Sequence, residues 1–168
     1  GGKLAVYLGC TRLSAVIIGK FIFVHGGIVE PGVLFDRAKL NNLNITLSKF
    51  LLGEFNKGTT IGNPKDMLKN LMNDNSIFWN RTLGMLEKNL PLDHPFCSEY
   101  MSKLFKSFQV NNIVVGHTPN TEGVTKTCGD DEGNGIWRID GAISKGFEVN
   151  NSIQFIEILN DVAKIMTV

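Results

Sequence analysis

The sequence predicts an α/β domain, and three observations carry that reading. Two short apolar runs lead into histidines flanked by glycine: Phe21-Ile22-Phe23-Val24-His25-Gly26-Gly27 and Ile113-Val114-Val115-Gly116-His117-Thr118-Pro119. Such runs read as buried strands. A stretch opening at Asp93-His94-Pro95 repeats Phe96, Tyr100, Leu104, Phe105 and Phe108 at helical spacing through Gln109, and it runs almost directly into the second strand. A helix that returns at once to a buried strand is the building unit of α/β folds.

The other elements follow in chain order. Leu4, Ala5, Tyr7 and Leu8 suit a helix stopping near Gly9. Ser14 to Ile18 and Lys20 to Val24 read as consecutive strands joined at Gly19, in a hairpin. Pro31-Gly32 marks a turn. Residues 36 to 75 are polar and rich in Asn and Lys. Within them Asn44 is expected to cap a helix carrying Leu47, Phe50 and Leu51, and Asn63-Pro64 to open another with Met67, Leu68, Leu71 and Met72 on one face. Beyond the second histidine, Gly123 to Thr127, Ile136 to Asp140 and Ser152 to Leu159 read as short strands. No repeat, low-complexity tract or linker divides the 168 residues.

Composition excludes several classes. Hydrophobic residues make up 43% of the chain, an ordinary globular content, and 17 basic against 16 acidic residues leave a net charge of +1. That balance gives no reason to expect a nucleic-acid or membrane surface. No apolar run approaches the ~20 residues of a membrane span. Three cysteines, Cys10, Cys97 and Cys128, show no paired spacing and do not read as a disulfide framework, which favours a reducing intracellular compartment.

The histidines carry the chemistry. Strands locked in a core deliver imidazoles in fixed positions, and the glycines beside them let the backbone turn without obstructing a site. A hydrolytic metal pair also needs carboxylates, and residues 1 to 24 contain no Asp or Glu. The chain therefore reads as half of such a site. A histidine after an apolar strand can equally be a polar cap on a sheet edge.

Taken together, these residues resemble the C-terminal half of a calcineurin-like metallophosphoesterase. Val24-His25-Gly26-Gly27-Ile28 looks like that superfamily's fourth motif, Val115 to Pro119 like its fifth, and Trp137-Arg138-Ile139-Asp140 with Ser144 like its final strand motif. Leu51-Leu52-Gly53-Glu54 and Phe78-Trp79-Asn80-Arg81 are similar, in order and spacing, to the Shewanella-like protein phosphatases. The resemblance implies a sandwich of two mixed sheets flanked by helices. It implies two divalent metal ions (Mn, Fe or Zn) and a metal-activated hydroxide attacking phosphoserine or phosphothreonine in proteins. His25 and His117 would ligate one ion. Arg81 would hold the substrate phosphate, the alternative being a solvated arginine stacked on Trp79. Asp140 would orient a ligand histidine from behind, or simply cap its loop. Arg138 reads as an ion-pair partner.

The departures are equally definite. The superfamily's first three motifs, Gly-Asp-x-His-Gly, Gly-Asp-x-x-x-Arg-Gly and Gly-Asn-His-Glu/Asp, occur nowhere in the chain, and Ala142 stands where glycine is common. Residues 1–168 are accordingly expected to be a single domain truncated at its N-terminus and inactive alone. A degenerate, non-catalytic scaffold and a dinucleoside polyphosphate hydrolase are the competing readings. His94 reads as a capping residue, and Asp130-Asp131-Glu132 as a solvated hairpin tip.

Overall fold

The computed structural model describes residues 1–32, 35–54, 71, 73–147 and 152–168. The chain folds as a mixed α/β structure around a five-stranded sheet of order β1-β2-β3-β5-β4, where β1 is Ala15–Ile18, β2 Phe21–Val24, β3 Asn112–Val115, β4 Thr125–Thr127 and β5 Gly135–Arg138. β2, β3 and β5 run parallel in the centre, with β1 and β4 antiparallel at the edges. The expected hairpin at Gly19 and the strands before each histidine are therefore present.

Side chains on the central strands alternate between two cores, as the strand period demands. Ile22, Val24, Ile113, Val115 and Ile136 face the larger core, together with the helix α3 (Pro95–Phe108). Phe21, Val114 and Trp137 face the other way, onto Ala163, Ile156 and Ile158. α3 buries Cys97, Tyr100, Met101, Leu104 and Phe108 along one stripe. Full burial of each large side chain contributes about 1.5–3 kcal/mol. Phe105, expected on this stripe, lies just past its margin and is half exposed. Pro95 occupies the first turn, where its missing N–H costs nothing, and Gln109 ends the helix in a left-handed conformation.

α1 spans Lys3–Thr11, two residues beyond the expected stop at Gly9. Gly9 is instead a contact point with α2 (Arg37–Leu51): a Cβ there would lie 3.1 Å from Leu51 Cβ, and Ser48 Oγ donates to Gly9 O at 2.6 Å. The start of α2 corrects the sequence reading. Asp36, not Asn44, is the cap, accepting from Lys39 N at 2.8 Å. Asn44 sits within the helix and clamps β1, its Oδ1 accepting from Ser14 N and its Nδ2 donating to Ala15 O. The expected helix from Asn63-Pro64 lies outside the described residues, apart from Leu71.

The second layer also differs from expectation. Among the described residues it is not a mixed sheet but a two-stranded hairpin, β6 (Gln154–Leu159) and β7 (Val162–Thr167), laid on the Phe21–Val114–Trp137 face. Its two-residue loop, Asn160-Asp161, has both φ values positive (53° and 60°), as a type I′ turn requires. The hairpin tip docks on the β1–β2 turn, where Asp161 Oδ1 accepts from Lys20 N at 3.1 Å. Gly19, at φ 55°, leaves the room: a Cβ there would stand 2.1 Å from that oxygen.

Cysteine usage is a further correction. Cys97 of α3 and Cys128 after β4 form a disulfide across 31 residues of sequence. Their spacing carries no signal because tertiary packing, not proximity in the chain, brings them together. The cysteine argument for a reducing compartment loses its basis. Among the described residues, no helix is long and apolar enough to cross a membrane.

Candidate functional site at the ends of β2 and β3

Parallel pairing of β2 with β3 sets Val24 opposite Val115, so both strands end at the same level. The ladder continues one step further, with Gly116 N donating to His25 O at 2.8 Å. This register carries His25 and His117 to neighbouring positions, with ring centroids 4.9 Å apart and planes inclined by 57°. His25 is exposed and His117 half-buried.

Each histidine sits on a constrained backbone. Thr118 N returns to Gly116 O at 2.7 Å, making a three-residue turn centred on His117, whose φ is 64°. Positive φ is uncommon for a residue with a side chain, and strain of this kind gathers at functional sites. After His25 the chain threads between neighbours that leave no space. A Cβ on Gly26 would lie 2.8 Å from Asn80 O, and Gly26 N donates to Ile77 O at 2.6 Å. Tyr100 of α3 anchors the same loop, its hydroxyl donating to Ile28 O at 2.7 Å.

Segment 76–81 closes the site. Asn80 is buried, and its Nδ2 donates to Gly27 O and Ser76 O, both at 2.7 Å. This bolts the segment to the loop after His25. Trp79 and Arg81, either side of Asn80, are left pointing outward. The Trp79 ring centroid is 5.1 Å from that of His117, and Arg81 Nη1 donates to His117 O at 3.1 Å. The sequence reading has Gly26 keeping the turn clear of side chains, and the close approach of Asn80 O agrees with it. Asn80 was not singled out from the sequence as a site-builder. Its bond to Gly27 O joins residues 53 positions apart, and only the Trp-Asn-Arg string hinted at it.

Burial is the largest influence on His117 and lowers its pKa, with Arg81 and then His25 adding to the effect. A backbone hydrogen bond to Trp79 and the field of Asp140 oppose it. The net result favours neutral imidazole. The Nε2 atom of His117 is buried with no partner. Such orphaned polar atoms are rare in folded proteins, and a ligand is one of the partners that would satisfy this one.

Asp140 reaches His117 through its field. Its carboxylate caps its own loop, with Oδ1 accepting from Ala142 N at 3.4 Å. Ala142 adopts φ 52°, the conformation for which glycine is the usual choice. Among the described residues, Arg138 forms no ion pair with a carboxylate. It is 6% exposed and donates Nε to Thr125 Oγ1 at 2.9 Å and Nη1 to the carbonyls of Gly84 and Leu86. It holds the 84–86 loop rather than a charge. His94 occupies the helix-cap position without a side-chain bond, and Asp130 folds back onto Asn134.

An apolar cleft of about 270 Å³ opens beside His25, walled by Leu13, Val16, Phe23, Phe78 and Ile139 among others.

This fold is shared with phosphatases. Two solved structures of a cold-active protein tyrosine phosphatase match 92% of the chain, a point mutant with TM-score 0.53 and 21% identity, and a second structure with TM-score 0.55 and 20% identity. The chain spans less than half of their length, 43% and 42%. No family model matches. By sequence, the chain is 32% identical over 179 residues to "Uncharacterized protein R398" of Acanthamoeba polyphaga mimivirus, covering 96% of this chain and 69% of that protein. The chain belongs to the family of that mimivirus protein.

These findings correct the identification drawn from the motifs. The structures sharing the fold are named protein tyrosine phosphatases, not calcineurin-like or serine/threonine enzymes. Among the described residues, no group of three or more His, Cys, Asp or Glu could hold a metal ion. Two imidazoles meet at the strand ends, but Asp140, the carboxylate whose field reaches His117, is turned to its own loop. The calcineurin-like assignment and its pair of divalent metal ions are therefore set aside.

Proposed function

We propose that the strand-end cluster binds the phosphoryl group of a phosphoester, and that the whole protein hydrolyses it. The observation that carries this reading is the convergence of two imidazoles and a guanidinium within one patch, with His117 Nε2 left without a partner. Arg81 spends one N–H on His117 O, which fixes the guanidinium and leaves its other donors for phosphoryl oxygens. A guanidinium fork matches a phosphate bidentately and keeps its charge at any physiological pH. His117 is held neutral with a hydrogen bond to the Trp79 backbone, and its Nε2 takes a proton once ligand binding shifts the ring enough to uncover that atom. His25 offers the second, exposed imidazole to the same ligand. The fold shared with protein tyrosine phosphatases supports a phosphorylated substrate.

Calorimetric titration with phenyl phosphate tests the binding step directly. The wild-type chain is expected to bind it, and Arg81→Ala to bind at least tenfold more weakly, about 1.4 kcal/mol, at unchanged thermal stability. Equal affinity in the two proteins would remove Arg81 and this reading together.

A further inference from the structure

Trp79 is 50% exposed, yet it takes part in neither hydrophobic core. Its neighbours do the packing: Ile77 is buried, and Phe78 lies against the larger core. A single exposed apolar residue needs no explanation on a protein surface. Trp79 differs because its position is fixed. Trp79 N donates to Ser76 O at 3.1 Å, and the adjacent Asn80 is pinned to Gly27 O. The indole also rests on the His117 ring, inclined by 44°. An indole is therefore held ready, half its surface open, at the edge of the patch where Arg81 and the histidines meet.

We infer that Trp79 is a stacking platform for the leaving group of an aryl phosphoester, and so selects aromatic over aliphatic esters. The inference rests on the phosphoester reading above and adds the class of ester. Trp79 and Arg81 both touch His117, the indole at its ring and the guanidinium at its carbonyl, so an aromatic ring one ester bond from a phosphoryl group on Arg81 would lie beside the indole. Aromatic rings pair in offset or tilted geometry, with a gain beyond simple burial. An aliphatic ester of the same charge makes the Arg81 contact and forgoes the stacking.

The test compares phenyl phosphate with ethyl phosphate by titration calorimetry on the full chain. Stacking of ordinary strength makes the wild-type preference for the aryl ester about fivefold to tenfold. Trp79→Ala is expected to bring the ratio of the two affinities below about twofold, and Trp79→Phe to restore part of it. Arg81→Ala is expected to weaken both ligands together. A wild-type ratio near one, or a ratio that survives Trp79→Ala while Arg81→Ala still weakens both, would overturn the platform and leave the phosphoester site standing. The surviving ratio would place the ring elsewhere, for instance in the apolar cleft beside His25. Failure of the wild-type chain to bind either ester would sink the phosphoester reading and the platform with it.

Discussion

Where the chain enters β2, β3 and β5, its polar groups are matched. Asn111 N and Asn112 N both donate to Lys20 O, Gly135 N donates to Asn111 O, and the buried Asn112 Oδ1 accepts from Trp137 Nε1 at 3.0 Å. Where the chain leaves the same strands, the backbone ladder continues but the side-chain matching is incomplete. His117 Nε2 and Thr118 Oγ1 are buried without partners among the described residues. The two ends share strands, register and core, so the fold does not force this difference. One end is arranged for stability. The other leaves polar atoms unmatched, and it is there that we place the ligand.

Substitutions at the entry end should therefore lower stability and spare binding. The largest effect is expected at Phe21, which is almost fully buried at the start of β2. Phe21→Ala should cost about 3–5 kcal/mol in denaturant unfolding. A loss below about 1 kcal/mol would show that the hairpin face contributes little. Asn112→Ala strands the Trp137 indole N–H in the core, at a cost of about 1–3 kcal/mol. Phenyl phosphate affinity in this variant should match the wild type. A matching loss of affinity would mean that the two ends are coupled and the contrast is false.

The smallest expected effect belongs to the exit end. The folded pKa of His117 lies below its ordinary value of 6.5. Between those two values the unfolded chain binds more protons, so stability rises with pH. His117 thus supports the fold fully above about pH 6.5, and its contribution fades as pH falls toward the folded pKa. Replacing it by Asn should flatten the stability–pH curve in that window relative to wild type. Superimposable slopes would show that the imidazole is not held neutral.

Legibility from sequence followed the same division. β2 and β3 announced themselves because buried central strands are continuous apolar runs, and the edge strand β1 because its four residues are all apolar. α3 did so because five of its residues bury one stripe. β7 was missed: only Ala163 among its six residues is buried, so no alternation shows. The start of α2 was missed because only Leu40 of that helix is buried, leaving a polar stretch with several plausible caps. At the site, His25 and His117 could be read as strand-end residues. Their approach to each other depended on β2–β3 register, which no local pattern encodes. The Cys97–Cys128 bond and the clamp of Asn80 on Gly27 were invisible for the same reason.

The central claim is that the two imidazoles and Arg81 form one ligand-binding patch. The most direct measurement is an NMR titration of the histidine ring signals with phenyl phosphate, for the wild-type chain and for Arg81→Ala. The account expects the His25 and His117 signals to move together and saturably in the wild type, His94 to stay still, and the response to fade in the variant. Signals of His25 and His117 that ignore the ligand, or that move no more than His94, would contradict it.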